Sequence, residues 1–149
     1  MVTDNPYSPF EYLDFAEQFF TAFKQLPAER PDRTPSWPRY FLLCHSIELA
    51  LKAYLSLRGT TLAELRKIER RHNLTQLVNE AVEKELALST QTQDTIRLLT
   101  EAHSNLLHRY PPDDGLIKDV YLIHQFVSAA RELLNAASDE IRGPRLGVG

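Results

Sequence analysis

Cysteine is all but missing: Cys44 stands alone among 149 residues. No intrachain disulfide can form, no Cys-x-x-Cys pair exists to hold zinc or exchange electrons, and a lone thiol suits a reducing cytoplasm. Glycine is scarce too, at five residues, and none builds a Gly-rich loop of the kind that cradles phosphates. Apolar/polar alternation is absent and β-branched residues are few, which removes the pattern expected of strands. The N-terminal residues mix polar and proline positions without an apolar stretch, so no secretory signal is visible. The longest apolar run, Phe41 to Leu57, is broken by His45, Glu48 and Lys52, which make membrane spanning costly. An excess of either charge is missing as well. The net charge of −3 excludes a chain that attracts nucleic acid over its whole surface, yet leaves room for a local basic patch. Repeats, low-complexity blocks and a second-domain linker are also lacking. The chain therefore reads as one soluble, cytoplasmic domain, residues 1–149, long enough to bury a genuine core.

What is present is helical periodicity. Ser8 is placed to cap a first helix, with Pro9 at its first position and Glu11 in its first turn. Phe10, Leu13, Phe19, Phe20, Phe23 and Leu26 carry that helix to about Gln25, leaving Glu11, Asp14 and Glu17 as an acidic side. LPAERPDRTPSWP then packs four prolines into thirteen residues and cannot continue a helix. Ser36 caps the next helix, which Gly59 ends. Thr60 and Thr61 open a short charged helix, TLAELRKIERR, broken at His72-Asn73-Leu74. Asn73 caps a helix from Leu74 to about Leu86. Ser89-Thr90 starts another, with Ile96, Leu99, Leu106 and Leu107 apolar, running to Tyr110 before Pro111-Pro112 stops it. Asp113 or Asp114 caps the last helix, whose inward stripe is Val120, Ile123, Val127, Ala130, Leu133 and Leu134. Residues 1–8 and 142–149 read as loose tails. The fold class is all-α: an up-and-down bundle of four long helices and one or two short ones.

Trp37 to Gly59, WPRYFLLCHSIELALKAYLSLRG, is apolar over most of its circumference, as an enclosed helix must be. Its remaining stripe carries His45, Glu48 and Lys52, flanked by Phe41 and Leu55. Glu48 precedes Lys52 by four residues, the favourable order for an ion pair along a helix. Polar groups on so apolar a helix need partners, so these three, with His72 from the later break, are expected to form a structural polar cluster. A metal site is the other meaning of His45-x-x-Glu48, with Glu11, Asp14 and Glu17 approaching from the first helix. Di-metal carboxylate bundles use Glu-x-x-His twice, whereas here the order is reversed and occurs once. No metal and no cofactor is expected.

Two further clusters carry possible chemistry. His103 to Pro111 reads HSNLLHRYP. On a helix His103 and His108 stand about 140° apart, whereas Asn105 and Arg109 share a face. His108 and Arg109 also suit the negative end of a helix dipole, which is a purely structural account of them. The second cluster is the basic run Arg58, Arg66, Lys67, Arg70, Arg71 and His72, diluted by Glu64 and Glu69. It is either a solvated face or a phosphate-contacting patch. Catalytic serine or cysteine arrangements are missing.

SIELALKAYLSLRG, the HNL at His72–Leu74 and HSNLLHRYP before the last helix together resemble the HEPN family, over about Arg39 to Leu134. The resemblance implies a compact helical bundle, usually dimeric, of prokaryotic toxin–antitoxin and defence systems. Active members are metal-independent ribonucleases with an Arg-x(4–6)-His motif, commonly Arg-Asn-x-x-x-His-x-Tyr. Matching HSNLLHRY to that motif puts His108 at its His, Tyr110 at its Tyr, and His103 where its Arg stands. Arg97 to His103 satisfies Arg-x5-His by count alone. The departure at His103 matters, because Arg is a permanent forked cation and His is neutral for much of the time near pH 7.

The resemblance implies RNA binding with weak or lost endoribonuclease activity, and a homodimer. His108 would be the acid–base group, with His103, Asn105, Arg109 and Tyr110 beside it. Arg97, Arg66, Lys67, Arg70 and Arg71 would contact RNA. The rival expectation is a non-catalytic interaction module that binds a nucleotidyltransferase-like partner. A third is a bundle scaffold whose polar groups are only structural.

Overall fold

Local capping sets the helix boundaries. The computed structural model describes residues 5–27, 37–70, 73–107 and 121–144, with side chains described throughout except at 37, 68–70, 101–107 and 121–122. Among these residues six helices follow in order: α1 (Pro9–Gln25), α2 (Trp37–Leu57), α3 (Leu62–Arg70), α4 (Leu74–Glu83), α5 (Thr90–Leu107) and α6 (Tyr121–Arg142). Among the described residues there is no strand, and four helices are long and two short, as the periodicity implies.

At α1, Ser8 Oγ accepts from the Glu11 N–H at 3.2 Å while the Glu11 carboxylate accepts from the Ser8 N–H at 3.4 Å. These reciprocal bonds satisfy donors that the first turn leaves orphaned. Thr61 and Glu64 repeat the device at α3. Asn73 caps α4 through the Gln76 N–H at 3.0 Å, and Ser89 caps α5 through the Thr92 N–H at 3.2 Å. Gly59 ends α2 at φ +93°, with the Thr60 N–H returned to the Leu55 carbonyl at 3.0 Å. That left-handed turn suits a residue without a Cβ.

Helix α4 stops at Glu83, three residues before the expected Leu86. Glu85 takes the left-handed conformation, φ 74°, and the Leu86 N–H bonds back to the Ala81 carbonyl at 3.0 Å. No glycine marks this turn; burial of Leu86 in the core offsets the strain, on the order of 1 kcal/mol. The expected caps at Ser36, Asp113 and Asp114, the stop at Pro111-Pro112 and the last turn to Tyr110 lie outside the described residues. Of the expected tails, Asn5 to Ser8 are anchored: Asn5 Oδ1 accepts from the Tyr12 hydroxyl at 3.3 Å, and the Tyr7 ring packs edge-on against Phe15.

The long helices alternate in direction. Phe23 lies under Arg39 at one end of the α1–α2 pair, and Ala16 meets Ser46 further along, so these two run antiparallel. Tyr40 packs on Phe126 and Arg58 reaches Glu140, so α2 and α6 run parallel. Helix α2 touches α1, α4, α5 and α6. Accordingly Leu43, Cys44, Ile47, Ala50, Leu51, Ala53, Tyr54 and Leu55 are all buried. Small residues bring α1 close: the Ser46 hydroxyl, fully buried, donates to the Ala16 carbonyl at 2.7 Å. On α1, Leu13, Phe20 and Phe23 face inward with Tyr12 and Ala16, while Phe10 is exposed and Phe19 half-buried. On α6, Phe126 joins the expected Ile123, Ala130, Leu133 and Leu134, and Val127 is only partly buried. No helix among the described residues is long and apolar enough to cross a membrane.

Candidate functional site

The polar stripe of α2 runs from the surface into the core. Phe41, His45, Glu48 and Lys52 follow one another at helical spacing. Phe41 is exposed, the His45 side chain is 33% exposed, and Glu48 and Lys52 are buried. Glu48 faces both neighbours: Oε2 lies 3.5 Å from His45 Nδ1 and Oε1 lies 3.8 Å from Lys52 Nζ. At that second distance the pair is held by charge rather than by a hydrogen bond. The imidazole lies between two rings, stacked on Phe41 at 5.7 Å and edge-on to Phe19 at 4.6 Å. His45, Glu48 and Lys52 thus form the cluster that their spacing implies; His72 lies outside the described residues. A carboxylate beside Nδ1 orients an imidazole, and an oriented imidazole is the elementary unit of proton transfer.

Glu17, offered as a carboxylate neighbour for that cluster, points elsewhere and pairs with Arg142 on α6. Among the described residues, no group of three His, Cys, Asp or Glu side chains is placed to hold a metal ion. Cys44, one residue before His45, is fully enclosed; burial first and the Glu48 charge second push its thiol up to about 12. It therefore stays a neutral, inert core group.

The HSNLLHRYP residues divide. His103 and Asn105 stand in the last two turns of α5. His108, Arg109 and Tyr110 lie outside the described residues. Arg97, two turns earlier, is engaged with its own neighbours: Nε and Nη2 donate to Asn79 Oδ1 at 3.0 and 2.9 Å, Nη1 to Asp94 at 2.8 Å, and Nη2 also to Gln93 at 3.3 Å. These bonds tie α5 to α4 and leave few Arg97 donors for a phosphate.

The basic run is similarly mixed. Arg66 and Lys67 are exposed on α3, whose Leu65 anchors it to the core. Lys67 shares an open groove with Glu64, Glu80 and Glu83 from α3 and α4. Arg70 belongs to α3, and Arg71 lies outside the described residues. Arg58 serves a different purpose. Its Nε donates to the Tyr54 hydroxyl at 3.1 Å and its Nη2 to Glu140 at 2.8 Å, while the Tyr54 hydroxyl donates to the Lys84 carbonyl. The Tyr54 bond, with Glu140 adding, holds the Arg58 guanidinium above its ordinary pKa. This junction joins the ends of α2, α4 and α6.

Sequence reasoning missed a second polar concavity, between α1 and α6. A groove of about 340 Å³ is lined there by Glu17, Phe20, Lys24, Arg131, Ser138 and Arg142, among others. Its cations come from residues 118 positions apart in the chain at the extremes (Arg142 minus Lys24), so no local pattern announces them.

Comparison of the chain with family models, with curated proteins and with solved structures finds no match.

Proposed function

We propose that this chain is an HEPN-like domain of the toxin–antitoxin or defence type that binds RNA, with weak or lost metal-independent endoribonuclease activity. The observation that carries this reading is the α2 helix itself: SIELALKAYL forms the buried hub of an up-and-down bundle, with Glu48 and Lys52 paired inside it. The HSNLL residues at the end of α5 support it further, since they stand on the helix that precedes the last long one. In the catalytic form of the proposal, a ribose 2′-hydroxyl attacks the adjacent phosphorus and displaces the 5′-oxygen, with His108 taking the proton from the attacking hydroxyl and returning one to the departing oxygen. Arg109 or a charged His103 offsets the developing negative charge. With most of its donors taken, Arg97 is the weaker candidate for that role.

The substitution at position 103 makes the reading testable. Cleavage of single-stranded RNA should be weak near neutral pH and rise toward about pH 6, where an ordinary His gains charge. His103→Arg should raise activity at neutral pH, His108→Ala should abolish it, and chelators should change nothing. Inertness of both the wild type and His103→Arg on several RNAs would remove the ribonuclease. Pull-down with a nucleotidyltransferase-like protein is then the decisive assay for the interaction module.

The proposed molecule is a homodimer. Light scattering at micromolar concentration should give twice the chain mass of 17.1 kDa. A clean monomer under those conditions rules out a composite cleft between two copies.

A further inference from the structure

The α1–α6 groove collects positive charge that local structure does not explain. Lys24 and Arg142 stand in the last turns of α1 and α6, where cations complement the helix dipole. Arg131 does not: it sits mid-way along α6, away from either end. Lys24 Nζ lies 5.2 Å from the Phe20 ring centroid and the Arg131 guanidinium carbon 6.0 Å from the same ring. One buried ring thus gathers two exposed cations at the mouth of the groove. Neither has a carboxylate partner among the described residues. Glu17, the one acid lining the groove among the described residues, is engaged by Arg142, and both side chains of that pair are 40% exposed. Among the described residues, three cations against one carboxylate leave a local excess of two positive charges in a chain whose net charge is −3. Thr21 and Ser138 add hydroxyls to the same wall.

We infer that this groove binds phosphate groups, taken either from a phosphodiester backbone or from a free oligophosphate. Arg131 supplies a planar fork of N–H donors that matches phosphate oxygens, and Lys24 supplies a compact charge beside it. Phe20 is too buried to stack on a base, so the groove recognises the charged groups and not the sequence. Glu17 acts against the anion and sets the affinity below what the three cations alone would give. The backbone arm rests on the RNA reading proposed above; the oligophosphate arm does not, because among the described residues the groove is lined from α1 and α6 and not from α5.

The probes are inorganic tripolyphosphate, followed by calorimetry, and a labelled single-stranded oligoribonucleotide, followed by anisotropy, both at low salt. Arg131→Glu should weaken the bound probe about tenfold or more and flatten its salt dependence. Glu17→Gln should strengthen it about threefold by removing the opposing charge. Circular dichroism melts report whether each variant folds, and Arg131→Gln replaces Arg131→Glu if the reversal does not. Arg66→Glu and Lys67→Glu reverse the basic run on α3, the other expected RNA contact, in the same assays. Loss of RNA affinity on Arg131→Glu with tripolyphosphate competing assigns the groove to a backbone. Tripolyphosphate binding sensitive to Arg131→Glu, with no RNA binding, keeps the groove and removes the RNA reading. RNA binding that falls only with the α3 reversals overturns the groove and keeps the RNA reading. Failure of both probes to bind overturns the groove.

Discussion

Leu51→Asp should leave no folded protein. Leu51 is fully buried in α2, the helix that every long neighbour packs on. The substitution forfeits roughly 1.5–3 kcal/mol of apolar burial and adds the larger cost of an unpaired carboxylate in the core. A domain of ordinary stability has only about 5–15 kcal/mol to lose. Cys44, two turns earlier on the same helix, provides a direct readout. Its thiol is enclosed and pushed up to about 12, so the native protein should be silent to a thiol reagent at mildly alkaline pH. The variant should react at once and lack a helical melting transition. A variant with the wild-type melt and a silent Cys44 would place α2 somewhere other than the centre.

Lys52→Met should destabilise the fold by about 3–5 kcal/mol, the usual cost of stripping one partner from a buried ion pair. Methionine fills much the same volume, so packing loss contributes little, and the damage comes from leaving the Glu48 charge with less compensation. Adding Glu48→Gln to that variant should recover a large part of the loss, a non-additivity that marks direct coupling. Urea denaturation of the two single variants and the double variant measures it. Additive single effects would mean that Glu48 and Lys52 do not depend on each other.

Much of this architecture was legible because its causes are local. Ser8 with Glu11, Asn73 and Ser89 are caps whose partners lie within three residues, and Gly59 is a turn that only its own backbone conformation demands. The stripe of His45, Glu48 and Lys52 needs nothing beyond helical spacing. The end of α4 was not legible: Leu86 continues the apolar period, yet it is buried by a turn through Glu85 and not by another turn of helix. Long-range pairings escaped for the same kind of reason. Nothing near Ser46 says that its hydroxyl meets the Ala16 carbonyl, and nothing near Arg97 says that Asn79 will occupy it. The α1–α6 groove is an extreme case, since Lys24 and Arg131 become neighbours only through the ring of Phe20.

The place of α2 in the chain has a consequence for synthesis. This helix is made second, but its covering helices α4, α5 and α6 are made later, and the last of them is complete only at Arg142. At roughly 5–20 residues per second, the interval between the end of α2 and the end of α6 is on the order of ten seconds. Throughout that interval the α1–α2 hairpin presents the uncovered side of its most apolar helix to the surroundings. A chaperone that binds apolar segments would have that long to engage it, until α6 packs along α2 from Tyr40 to Arg58 and covers that side.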